Sequence, residues 1–155
     1  MPKRDYKLSE ESAQAQIELF LDWYGLDFDE LFKKEGDKTD RTREGVKNRL
    51  IKCVRKGYIE VKEEAAGGEK NSSGESTLVV MQHLDRAVHG KQEVKYNEFC
   101  GRHRAAVTVL EGENETAQMY RLLGLVTGEG KEFFDSLRGA DIGVADMLGF
   151  LFLLV

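Results

Sequence analysis

Residues 46–61 read Val46-Lys-Asn-Arg-Leu50-Ile-Lys-Cys53-Val54-Arg-Lys-Gly57-Tyr-Ile59-Glu-Val61, and the spacing of their apolar side chains changes partway through. Val46, Leu50, Cys53 and Val54 recur at intervals of three and four, so a helix would put them on one face, with Ile51 widening the stripe. Beyond Gly57 the interval is two: Ile59 and Val61 alternate with Tyr58 and Glu60, as on a strand with one buried side. Glycine at the junction supplies the left-handed residue on which helices end. The spacing predicts a helix opening near Asp40 or Thr42, after a polar and flexible stretch at 36–42, and running straight into a strand. A helix followed by strands that pair locally points to the α+β class.

Residues 62–76 are Glu, Lys, Ala, Gly, Ser and Asn, too polar to repay the entropy of ordering, and read as a mobile loop. Residues 77–84 are β-rich, His89-Gly90 is a turn signal, and residues 93–99 alternate with Val94 and Tyr96 on one face. With Ile59 and Val61 these segments predict a small antiparallel sheet. Upstream, Ile17, Phe20, Leu21 and Tyr24 form a helical stripe entered at Ser9 and closed by Gly25. Asp27 and Glu30 make a capping-box variant for a short helix that buries Phe28, Leu31 and Phe32 and ends at Gly36. Downstream the pattern is helical: residues 102–110; a helix capped by Asn114 with stripe Met119, Leu122, Leu123 and Val126 and stop Gly128; a turn with Phe133, Phe134 and Leu137; and a last helix capped by Asp141 bearing Val144, Leu148, Leu151, Phe152 and Val155. The expected organisation is a helical N-terminal part ending in a short strand (1–61), the loop (62–76), and a β-hairpin plus C-terminal helical bundle (77–155), together one compact domain.

A chain of 155 residues can bury a core without disulfide or metal staples. Its two cysteines, Cys53 and Cys100, have no disulfide-framework spacing and read as free thiols of a reducing compartment. Residues 1–11 are polar and lack the apolar core of a secretory leader. The apolar C-terminal run, residues 147–155, is about half the ~20 residues of a bilayer span. A cytoplasmic protein with no membrane partner is expected. The net charge of −5 repels phosphate backbones and counts against nucleic acid.

Motifs for catalysis fail on inspection. Gly128-Glu-Gly130-Lys131 suggests a phosphate loop, but Leu125 stands where the first glycine belongs and Glu132 replaces the magnesium-binding hydroxyl. Cys100-Gly-Arg-His103 has half the ligands of a structural zinc site, and Cys53, His83 and His89 lack the spacing to complete it. No serine lies in a nucleophile elbow and neither cysteine has an evident base. No catalytic residue, metal or cofactor is therefore expected. Two surfaces remain. Helix 41–56 carries Arg43, Lys47, Arg49, Lys52 and Arg55 and precedes a candidate two-stranded wing at 58–84, the order of a winged-helix DNA-binding regulator. The last helix holds Met147, Leu148, Phe150, Leu151, Phe152 and Leu154, apolar all round, so part of it is expected to face another protein.

Residues 78–155 also carry an ordered set of marks: the apolar strand 78–84, the turn glycine Gly90, Tyr96-Asn-Glu-Phe-Cys-Gly-Arg102, then Arg121-Leu-Leu-Gly-Leu-Val-Thr-Gly128, Phe134-Asp-Ser-Leu137, Asp141, and Gly149-Phe-Leu-Phe-Leu153. This half of the chain resembles the small tail-assembly chaperones of tailed bacteriophages, of the Mu-like and P2-like kind. The family's proline after the first strand is absent from Leu84-Asp-Arg-Ala-Val88, and residues 9–57 lie outside the pattern. The resemblance implies a non-enzymatic role in which the C-terminal helix accepts amphipathic helices of a tape-measure protein and tail-tube subunits are recruited around it. Self-association through the same face fits that role.

Overall fold

The computed structural model describes residues 4–32, 38–65, 76–101, 103 and 115–154, and side chains at all of these except 38–43, 65, 115 and 154. Helix α1 (Glu10–Trp23) opens on Ser9, whose hydroxyl accepts the Ser12 N–H at 3.1 Å, and α2 (Phe28–Leu31) opens on Asp27, whose carboxylate accepts the Glu30 N–H at 2.9 Å. Both caps fill backbone donors that a first turn leaves open. Helix α3 (Lys38–Arg55) starts inside the stretch expected to be flexible. Lys38 to Arg43 offer no apolar stripe, but once Leu50, Ile51 and Val54 are packed, each further residue adds a hydrogen bond at little extra cost.

The α3–strand junction closes as its sequence predicts. Gly57 takes φ +77°, the Tyr58 N–H reaches the Cys53 carbonyl at 3.0 Å and the Gly57 N–H reaches that of Val54 at 3.1 Å. This pair of bonds is the Schellman arrangement, and α1 ends on the same one at Gly25 and Leu26.

Strands β1 (Ile59–Ala65), β2 (Ser76–Val88) and β3 (Lys91–Tyr96) form an antiparallel sheet in the order β1-β2-β3. Residues 62–65 and Ser76, assigned by composition to a loop, are thus strand; 66–75 lie outside the described residues. The outward positions of a half-buried strand are as polar as any loop, and Glu64 is held from across the sheet by the Lys95 ammonium at 2.6 Å. Strand β3 ends at Tyr96, short of the expected Phe99, and β2 runs past Leu84 to Val88. His89 and Gly90, with φ of 51° and 77°, make the two-residue turn whose twist matches the strands.

Helices α4 (Glu115–Thr127), α5 (Lys131–Asp135) and α6 (Ala140–Leu154) complete the described chain. The expected helix at 102–110 falls, but for His103, outside the described residues, as does the expected cap Asn114. One hydrophobic core runs from Ala13 to Phe152. Val61, Val80 and Tyr96 stand in register across the sheet and are buried. Phe152 lies edge-on to Phe20 of α1 at 5.6 Å between ring centroids and stacks on Tyr96 at 6.0 Å, so the last helix is the wedge between α1 and the sheet. Gly149 lets α4 approach α6: a Cβ there would strike the Met119 side chain.

Asp141, expected to cap α6, has another job. It sits inside the first turn, and its carboxylate accepts the backbone N–H groups of Asp85 (3.0 Å) and Arg86 (3.2 Å) on β2. Gln82 donates to the Asp141 carbonyl at 2.9 Å and accepts from the Tyr96 hydroxyl at 2.6 Å. All three residues are buried, so α6 is fixed to the sheet by a hydrogen-bonded polar chain. These elements define the α+β class expected from the sequence.

Candidate partner-binding surface

The six C-terminal residues singled out from the sequence do not lie together. Met147, Leu148, Leu151 and Phe152 are buried in the chain's own core, which corrects the expectation that they form a docking face. Leu154 ends α6, and its side chain lies outside the described ones. Of the five whose side chains are described, Phe150 alone is exposed, by 42%, and Leu153 at 49% and Ile142 at 36%, outside those six, are exposed beside it. Ile142, Asp146, Phe150 and Leu153 follow at intervals of four, four and three, and so share one side of the helix. Asp146 is the only charged residue from Ile142 to the C-terminus, and it was the available marker of that side. Partial burial pushes the Asp146 carboxyl up from its ordinary value, while the nearby Arg49 guanidinium pulls it back. Leu125 of α4 is a further exposed apolar residue, at 45%.

The basic residues of α3 divide as well. Lys47 holds its ammonium 5.4 Å from the Phe28 ring centroid. Arg55 stacks its guanidinium 4.0 Å from the centre of the Tyr6 ring and donates through Nε to the Leu8 carbonyl at 3.1 Å. Arg43 lies in the helix with its side chain outside the described ones. Of the four whose side chains are described, only Arg49 and Lys52 border a groove between α3 and the start of α6. The described cations thus do not form the continuous basic face a recognition helix presents. The candidate wing is also engaged: Ile59, Val61, Val80 and Leu84 belong to the core.

That groove has a volume of about 370 Å³ and is bordered by Arg49, Lys52, Lys56, Tyr58, Gly139 and Gly143. The Arg49 guanidinium reaches over α6, with Nη2 3.8 Å from where a Gly143 Cβ would stand. None of its described lining residues is a carboxylate. The Tyr58 hydroxyl donates to Asp85 at 3.0 Å, and burial and that bond raise its pKa. Cys53 also borders the groove, but burial pushes its thiol up by more than Arg49 and Lys52 draw it down, which disfavours the thiolate nucleophilic chemistry needs.

Residues 4–8, which carry no periodic signal, form a strap over the α3–β1 junction. The Lys7 and Leu8 N–H groups donate to the Arg55 carbonyl, and Arg4 bonds to Asp85 at 2.7 Å and to the Gly57 and His83 carbonyls at 3.1 Å each. Cys100 lies 3.5 Å from His103 Nδ1, and that same nitrogen takes the Cys100 backbone N–H at 3.1 Å, a local loop clasp. Among the described residues no three His, Cys, Asp or Glu side chains converge as a metal site would require, and no helix is long and apolar enough to cross a membrane. Gly128, φ +77°, ends α4 and Gly130 precedes α5, so the glycines of the failed phosphate loop act as helix stop and start.

No family model, curated protein or solved structure matches the chain.

Proposed function

We propose that the chain is an assembly chaperone or adaptor that captures helical segments of another protein. Its client class is that of the tail-assembly chaperones residues 78–155 resemble: a tape-measure-like protein, with tail-tube subunits recruited around it in the host cytoplasm. The observation that carries this reading is the outer side of α6, where Ile142, Phe150 and Leu153 stay exposed on a helix whose other side is locked into the core. Large apolar side chains lined up at helical spacing are the surface an amphipathic client helix covers. Fully burying one such side chain contributes about 1.5–3 kcal/mol, so three that are already half covered add only a few kcal/mol before ordering costs. A weak and reversible grip suits a protein that must be displaced when assembly is complete.

The DNA-binding alternative has less behind it. Lys47 and Arg55 face the chain's own aromatic rings, and the net charge of −5 opposes a phosphate backbone.

The test is binding of a purified tape-measure fragment to the wild-type chain and to Phe150→Asp/Leu153→Asp, followed by fluorescence anisotropy. At least tenfold weaker binding with a melting temperature within a few degrees of wild type is expected. Unchanged binding by the folded double variant overturns the reading. Phe152→Asp is the wrong probe, because Phe152 is 1% exposed and its loss would unfold the core.

A further inference from the structure

The apolar side of α6 and the cationic groove beside it are one continuous surface. Gly143 borders the groove; Asp146, Phe150 and Leu153 follow it at intervals of three, four and three, which keeps all four on one flank of the helix. Arg49 spans the two, since it borders the groove, reaches over Gly143 and acts on Asp146. A chain of net charge −5 has here gathered Arg49, Lys52 and Lys56 around about 370 Å³ of open space with no carboxylate among the described lining residues. None of these three makes an ion pair among the described residues; Lys56 has only the Tyr6 ring, 5.4 Å from its ammonium.

We propose that this combined surface docks an amphipathic helix with an acidic flank, so that the client is chosen by charge as well as by apolar spacing. The inference rests on the adaptor reading and adds the partner's chemistry to it. The client's apolar residues cover Ile142, Phe150 and Leu153. Its carboxylates lie over the groove against Arg49, Lys52 and Lys56, and its side over Asp146 is neutral or basic, because a carboxylate there would be repelled. Arg49 can form a two-toothed bond to a carboxylate, and Lys52 and Lys56 act as point charges. Partner choice of this kind appears mainly in association rate and salt dependence. Duplex DNA is a poorer fit, since its phosphates would meet Asp146 and the apolar stripe on leaving the groove.

The experiment uses the full chain and three synthetic helical peptides that share one leucine stripe and carry an acidic, a basic or an uncharged polar flank. Binding is read by fluorescence anisotropy at low and physiological salt. Expected is at least tenfold tighter binding of the acidic peptide than of the basic one at low salt, narrowing as salt rises. Arg49→Glu/Lys52→Glu should reverse the order, and Phe150→Asp should weaken all three. Equal binding of the three peptides overturns the charge inference and leaves the adaptor reading standing. Absence of binding by every peptide removes both. Inorganic phosphate or a DNA duplex that binds the groove, is lost in the Arg49→Glu/Lys52→Glu variant and displaces no peptide also overturns the proposal. Melting curves of each variant, expected within a few degrees of wild type, separate lost docking from lost folding.

Discussion

Helices α3 and α6 both pack one side into the same core, yet their sequences announce it very differently. In α3 the residues between Val46 and Arg55 that avoid the core are Lys47, Asn48, Arg49 and Lys52, and what is left over is the inner stripe: Leu50, Ile51 and Val54, buried, with Cys53 partly buried against them. In α6 almost every position is apolar, so Phe150 and Phe152 look alike in the sequence although one is 42% exposed and the other 1%. Amphipathic contrast, and not apolar content, tells which way a helix faces. An all-apolar helix leaves that choice to whatever packs against it, and α6 is oriented by Asp141 on β2, Phe152 between α1 and β3, and Gly149 against α4.

The sharpest way to break the comparison is to truncate the two phenylalanines. Phe152→Ala should cost roughly 3–5 kcal/mol of stability, and Phe150→Ala, at a side chain already half exposed, only about 1 kcal/mol, by denaturant unfolding. Similar losses would mean the two sides of α6 are not distinct. The glycines of α6 give the next contrast. Gly149→Val should lose about 1–3 kcal/mol because the new side chain meets Met119, whereas Gly143→Ala, with only Arg49 at 3.8 Å, should gain up to about 1 kcal/mol from reduced chain entropy. On the α3 side, Gly57→Ala should cost about 1–2 kcal/mol, since φ +77° strains any other residue and a Cβ would press on Lys7, 3.2 Å away.

The smallest effect tests the legible kind of surface on the sheet. Chiefly through its hydrogen bond, Lys95 holds the Glu64 carboxyl below its ordinary value. A lowered carboxyl stabilises the fold above the ordinary carboxylate pKa, and that contribution fades as pH falls through the lowered value. Glu64→Gln should therefore cost a few tenths of a kcal/mol at pH 7 in an exposed pair and nothing near pH 2, as read from the pH dependence of the melting temperature.

The candidate site was legible only in outline. That the last helix has apolar residues to spare was readable from residues 147–155, but which of them face outward was not, apart from the hint at Asp146 that pairs it with Ile142 and Phe150 by spacing. The basic helix was readable too, yet Lys47 and Arg55 meet Phe28 and Tyr6, residues far off in the chain, and no local pattern contains those meetings. The strap at residues 4–8 was invisible for the same reason: its bonds go to Asp85, Gly57, His83 and Arg55.

Short-range chemistry in the sequence determined the α+β class, the Ser9 and Asp27 caps, the stops at Gly25 and Gly57 and the His89-Gly90 turn, because each depends on residues a few positions apart. Strand length at residues 62–65, the role of Asp141 and the outward side of α6 were decided by tertiary structure. Each of those depends on a partner element brought in from elsewhere in the chain; a polar strand edge carries no local mark of which side that partner will take, and the last helix carries only the one at Asp146.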